Sequence, residues 1–192
     1  MAAAPQSQAA LDRLFAIVKA NSFGRERRLL ASGRTSEFYF DMKPSMLDPE
    51  GAALIAALVH ARCAAAGAGL VGGLEMGAVP ITGAVCLHSH ATDRPMRGFF
   101  VRKQAKAHGA QKLVEGMPPG TDLRGQRVAI VEDVTTTGES ALKAVRALRA
   151  EGAEVVAVVT LVDREEGAAE AFAEAGVPFE ALLRASRFLA EG

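Results

Sequence analysis

The sequence predicts an α/β fold, a single domain in which a central parallel sheet is flanked by helices. Three observations carry that expectation. The second half of the chain alternates apolar runs with helical periodicity: strand 127–132, helix 140–150, strand 155–161, helix 165–175 and strand 179–183. That is the grammar of successive βαβ units. The length, 192 residues, suits one core and is short for two. Hydrophobic residues at 49% and charged residues at 23% lie close to globular averages, which sets aside fibrous, disordered and coiled-coil classes.

In the first half, Leu11, Leu14, Phe15 and Val18 recur at helical spacing and predict a helix that stops before Asn21. Residues 29–41 read as two short strands around a turn at Ser32, Gly33 and Arg34, the second being the aromatic run Phe38, Tyr39, Phe40. Asp48 followed by Pro49 is a helix start, since a carboxylate caps a backbone N–H and proline gives up a donor that had no partner there. That helix runs to about residue 66, where Gly67 and Gly69 end it. Residues 70–74 predict a strand buried on both faces, 77–88 a helix that tolerates Pro80 in its first turn, and 98–101 a strand. Residues 104–120 lack a periodic apolar pattern, so a functional loop is expected there. Parallel strands with right-handed crossovers place a ligand site beyond their carboxyl ends.

Lysine plus arginine number 22, matched by 22 acids, so no global field draws nucleic acid or a membrane surface. Any anion must be bound by a local cluster. The absence of tryptophan and a single tyrosine, Tyr39, leave few platforms for unpaired bases. Cys63 and Cys86 lack metal-ligand spacing and suit a reducing compartment. No leader pattern and no run of about 18 apolar residues is evident, so the expected location is cytoplasmic.

Chemistry concentrates in residues 128–140, VAIVEDVTTTGES. An apolar strand delivers Glu132 and Asp133, then three threonines, Gly138 and Ser140 before helical periodicity resumes. Hydroxyls and free amides at a helix N-terminus cradle a phosphate, because the unpaired N–H groups and the helix dipole both favour an anion. Acids just ahead of that cradle would repel phosphate and suit sugar hydroxyls, with Mg²⁺ nearby. Together they describe a pocket for a ribose 5-phosphate, distinct from a Walker A loop because no lysine follows Gly138. The plainer reading is a strand end followed by turn and cap residues.

A second constellation, FFVRKQAKAHG at 99–109, brings Arg102, Lys103, Lys106 and His108 together in an otherwise neutral chain. A solvated basic loop is its plain reading. Beside a phosphoribosyl cradle it becomes a pyrophosphate site.

VEDVTTTGES resembles the phosphoribosyl pyrophosphate (PRPP) signature of type I phosphoribosyltransferases: a hydrophobic strand, two acids, two variable residues, then Thr-x-Gly-x-Ser/Thr. The basic segment is similar to the R-K-x-x-K-x-H-G loop of the orotate phosphoribosyltransferases within that family. The resemblance implies the type I phosphoribosyltransferase fold with a small N-terminal hood. Residues 1–45 would form the first helix and hood, and 46–192 the α/β core with a mobile loop at 102–117.

The same resemblance implies that PRPP is bound by Arg102, Lys103, Lys106, His108 and the run Glu132, Asp133, Val134, Thr135, Thr136, Thr137, Gly138, Glu139, Ser140. Lys106, His108 and Asp133 are the expected catalytic residues, Lys106 or His108 giving a proton to the departing pyrophosphate. Orotate would meet Thr136, Arg164, Tyr39 and Phe40, with the Arg164 guanidinium on the pyrimidine carboxylate. Mg²⁺ is the implied cofactor, carried mainly by PRPP and water without protein ligands. The loop would close over PRPP in the neighbouring subunit of a homodimer. Closure suits a reaction through an oxocarbenium-like state that water could intercept.

Two positions depart from the pattern. Leu30, Ala31, Ser32, Gly33 replaces Leu-Lys-Ser-Gly, and Glu75, Met76, Gly77 replaces Tyr-Lys-Gly, so two lysines are missing that Lys43 or Arg34 could replace. The expected activity is transfer of phosphoribose from PRPP to orotate. An enzyme of the same fold acting on a purine or uracil is one alternative. A PRPP-sensing regulator is another, although the roughly 20 residues before Phe23 are few for a helix-turn-helix unit.

Overall fold

A computed structural model describes residues 5–26, 28, 29, 35–104 and 113–190. Six strands form the central sheet in the order β10-β9-β8-β5-β6-β7. Strands β5 (Leu70–Leu74), β6 (Arg97–Val101), β8 (Arg127–Thr135), β9 (Glu154–Asp163) and β10 (Phe179–Arg184) pair in parallel. The edge strand β7 (Val114–Glu115) is antiparallel to β6 and lies within the connection expected to be featureless.

Helices cover both faces, as the apolar runs in β5, β8 and β9 require. On one face α1 (Pro5–Asn21), α3 (Pro49–Ala65) and α4 (Ala78–His90) pack Leu14, Val59 and Ile81 against Val71, Val131 and Val159. On the other, α5 (Glu139–Ala150) and α6 (Ala168–Glu174) pack Val145, Leu148 and Phe172 against Val128, Ile130 and Val158. Asp48 caps α3 as expected, its carboxylate accepting from Gly51 N at 2.8 Å.

The hood departs from a single hairpin. Strand β1 (Phe23–Gly24) pairs with β4 (Tyr39–Phe40), and β2 (Arg28–Leu29) with β3 (Thr35–Ser36). The expected turn at 32–34 lies outside the described residues. A knot of aromatic rings organises the pairing: Phe23 and Phe40 lie 5.2 Å apart, and each meets Phe188 of α7 (Ala185–Ala190) at 5.3 and 5.0 Å. Neither α7 nor the four-residue α2 (Lys43–Met46) was legible, because neither is long enough to show a period.

Two boundaries move by more than two residues. Strand β8 continues through both acids to Thr135, since Val134 and Thr135 still find ladder partners in Val162 and Asp163. Helix α6 starts at Ala168 rather than at 165. Asp163 Oδ1 accepts from Glu165 N at 2.8 Å, and Glu165 (φ 61) and Gly167 (φ 99) turn the chain out of helical geometry.

The strand order reverses at β5. From β5 the chain crosses through α4 to β6 on one side, and β8 lies on the other. A crevice therefore opens beyond the carboxyl ends of β5 and β8.

Candidate active site

A cavity of about 450 Å³ occupies that crevice. Its wall comes from Leu74, Glu75, Met76 and Gly77 after β5, Glu132 and Asp133 on β8, and Ser140 at the start of α5. Lys103 joins them from the segment after β6, and Lys43, Met46 and Leu47 from α2 and its end. Of the residues expected to bind PRPP, the cavity thus gathers Lys103, Glu132, Asp133 and Ser140.

Both acids are half-buried. Burial pushes Glu132 up to about 7, opposed by the Thr135 hydroxyl donating to Oε2 at 3.0 Å, while the Asp133 charge adds to the rise. Burial also raises Asp133, against the N–H groups of Val134 and Asp133 itself and the Lys43 charge. Gly77 packs directly against the Asp133 carboxylate, so any Cβ there would displace the acid.

The turn behind the acids has the shape a phosphate needs. Gly138 is the N-cap of α5 with φ 79, and a Cβ there would meet Phe172 Cζ at 2.9 Å. Glycine is required on both counts. It brings no side chain to cap the helix, which leaves the first amides of α5 for a ligand. Thr136 is half-buried and Thr137 exposed, whereas the Thr135 side chain is buried against Glu132.

The other expected residues fall around this centre. Arg102 is turned toward Glu115 at 3.7 Å, away from the cavity wall. Lys103 N donates to Glu75 Oε1 at 3.0 Å, tying the start of the basic segment to the loop after β5. Lys106, His108, Ala31 and Arg34 lie outside the described residues. Arg164 is 6% exposed and fixed on three sides. Its Nε donates to Glu166 at 2.8 Å, its Nη2 to Ser36 Oγ at 2.9 Å, and its guanidinium lies 4.3 Å from the Phe38 ring centre. Phe40 turns its ring into the aromatic knot, and Tyr39, on the opposite side of the strand, covers Gly24. Neither Tyr39, Phe40, Arg164 nor Thr136 lines the cavity itself.

Sequence reasoning named Lys43 only as a stand-in for a missing lysine and missed the rest of the α2 wall, Met46 and Leu47. The signal was slight: Asp41 two residues before Lys43, then Pro44 at a helix start. Among the described residues no cluster of three or more His, Cys, Asp or Glu could hold a metal.

Residues 60–175 match the phosphoribosyl transferase domain family. The orotate phosphoribosyltransferase of Rhodopseudomonas palustris (strain BisB5) is 56% identical over 177 residues, covering 92% of this chain and 95% of that protein. The crystal structure of Mycobacterium tuberculosis H37Rv orotate phosphoribosyltransferase in complex with Fe(III) dicitrate is 41% identical with a TM-score of 0.79, over 93% of this chain and 98% of that one. The same enzyme in complex with 5-phospho-α-D-ribosyl 1-diphosphate (PRPP) is 38% identical with a TM-score of 0.75, again over 93% and 98%.

Proposed function

Because the chain belongs to the orotate phosphoribosyltransferases, we propose that the crevice beyond β5 and β8 is its PRPP site and that the Arg164 side faces orotate. The enzyme transfers the phosphoribosyl group of PRPP to orotate, giving orotidine 5′-monophosphate and pyrophosphate in pyrimidine biosynthesis. The observation that carries the site assignment is one continuous wall: two half-buried acids near the end of β8, followed by a glycine turn that leaves the α5 amides uncapped.

In this reading the turn 135–140 takes the 5-phosphate through Thr136, Thr137, Ser140 and the α5 amides. Glu132 and Asp133 accept hydrogen bonds from the ribose hydroxyls. Lys103, Lys106, His108 and Arg102 serve the leaving pyrophosphate, so Arg102 must leave Glu115 on closure. Arg164, held by Glu166, Ser36 and Phe38, presents its fork to the orotate carboxylate, with Thr136 between base and ribose. Tyr39 and the backbone around Phe40 close the base side from the hood.

No nucleophile is required. Catalysis comes from positioning the two substrates and from positive charge placed where the diphosphate leaves, inside a site that excludes water. Phosphoribosyltransferases generally use Mg²⁺ with PRPP, and the oxygen donors of Asp133 and Glu75 suit such a hard cation. The ion neutralises diphosphate charge when bound.

The active form in this reading is a homodimer whose basic loop reaches the neighbouring site. An open apolar groove of about 710 Å³ supports it, lined by Val79, Thr82, Cys86 and Phe100 between α4 and β6, beside Leu87 at 79% exposure. Residues 1–45 supply the first helix and the hood, and 46–192 the core. No helix among the described residues is long and apolar enough to cross a membrane, and phosphorylated substrates suit a cytoplasmic location.

Orotate consumption followed spectroscopically, dependent on both PRPP and Mg²⁺, tests the activity. Absence of turnover by the purified chain overturns it. Orotate against uracil in competition tests the base, since uracil lacks the carboxylate that Arg164 is assigned to read.

A further inference from the structure

The described wall of the crevice carries three carboxylates, Glu75, Glu132 and Asp133, against two ammonium groups, Lys43 and Lys103. Met76, between Glu75 and Gly77, is 71% exposed and brings no charge. A diphosphate drawn to that wall would meet more anions than cations, so each lysine on it matters.

Lys43 opens α2, opposite the loop after β5. Asp41 Oδ1 accepts from both Lys43 N at 3.2 Å and Lys43 Nζ at 2.8 Å, which holds the ammonium at the rim. The two side chains are 73% and 50% exposed, and an ion pair so open to water adds little to stability. Its charge nevertheless reaches the site, since Lys43 is among the groups that lower Asp133, while Asp41 raises Lys43 and keeps it protonated.

We propose that Lys43 is a phosphate-binding residue of this site, contacting the diphosphate of PRPP, with Asp41 holding its ammonium in place until the substrate arrives. The proposal rests on the reading of the crevice as the PRPP site. The 5-phosphate belongs to the turn before α5, on a separate element, which leaves the diphosphate for Lys43 and Lys103 beside residues 75–77. On binding, the ammonium exchanges the single Asp41 oxygen for phosphate oxygens, a stronger charge-assisted contact.

Titration calorimetry of the whole protein with inorganic pyrophosphate and Mg²⁺ tests this. Lys43→Met should weaken binding roughly 10- to 100-fold, while Lys43→Arg, which keeps the charge, stays within about threefold. Asp41→Asn removes the opposing charge, so the ammonium is held less strongly, and should tighten binding. PRPP KM should rise in parallel in Lys43→Met with orotate KM nearly unchanged, a split that a merely structural role would not produce. Lys43→Gln serves as the second variant should Lys43→Met fail to fold. Pyrophosphate binding by Lys43→Met or Lys43→Gln within about twofold of the unaltered protein overturns the proposal. An unaltered protein that binds pyrophosphate but never consumes orotate would instead overturn the activity and leave Lys43 standing. An unaltered protein that binds no pyrophosphate removes both the PRPP site and the Lys43 contact.

Discussion

Thr135 Oγ1 donates to Glu132 Oε2 at 3.0 Å, three residues back along the same strand, from a side chain only 1% exposed. The hydroxyl is therefore turned to the acid and away from any ligand. It favours the charged form of a carboxylate that burial otherwise pushes up to about 7. Of the three consecutive threonines, this one acts on the site through its neighbour.

Thr135→Val keeps the shape and removes that donor, so Glu132 should hold its proton to higher pH and accept less readily from a ribose hydroxyl. We expect kcat/KM for PRPP to fall about tenfold near neutral pH, the size of one hydrogen bond to a charged group, with the loss shrinking as pH rises. Thr135→Ser should restore most of it. A pH-rate profile identical in Thr135→Val and the unaltered enzyme would show that the hydroxyl does not act on Glu132.

The raised Glu132 also makes a statement about stability. A carboxyl whose folded value lies above its ordinary value of 4.5 favours the folded state least once it is ionised, so stability is lost as pH rises between about 4.5 and 7. Glu132→Gln keeps an acceptor for Thr135 and removes the charge. It should match the unaltered protein near pH 4.5 and exceed it by about 1–3 kcal/mol at pH 8. Urea unfolding at the two pH values decides, and a constant difference across them would contradict the raised value.

Leu87 stands 79% exposed on α4 next to the open groove, and is the residue to change if two copies meet there. Leu87→Asp should yield monomers by light scattering and lower activity well beyond any change in melting temperature, because the basic loop would lose the neighbouring site. A monomeric variant with full turnover would separate the loop from the partner.

The sheet and its helices were legible because runs such as Val128–Val131 and Val155–Leu161 in the sequence are long and apolar, and Asp48-Pro49 is a local cap that needs no tertiary help. The acids, the threonines and Gly138 were legible as one contiguous motif. What escaped depends on distant partners. Phe40 read as a site residue, yet its ring is claimed by Phe23 and Phe188, the latter 148 positions further along the chain by subtraction of residue numbers. Lys43 was named as a stand-in for a missing lysine, but its place was not legible: it sits on a helix of four residues, too short for periodicity, and only the crevice brings it opposite Glu75. Glu75 holds Lys103 N across 28 positions, which no local pattern announces.

Gly138 offers the sharpest test of the turn itself. Its φ of 79 costs any other residue about 1 kcal/mol, and the Phe172 ring at 2.9 Å leaves a methyl group no room. Gly138→Ala should therefore lose roughly 2 kcal/mol or more of stability, judged by urea unfolding. It should also raise PRPP KM strongly, because the α5 amides shift with the turn. Combining it with Phe172→Leu relieves the clash but not the backbone strain, so stability should return only in part. Full recovery in the double variant would assign the whole penalty to packing, and unaltered PRPP binding in Gly138→Ala would show that this turn does not hold the phosphate.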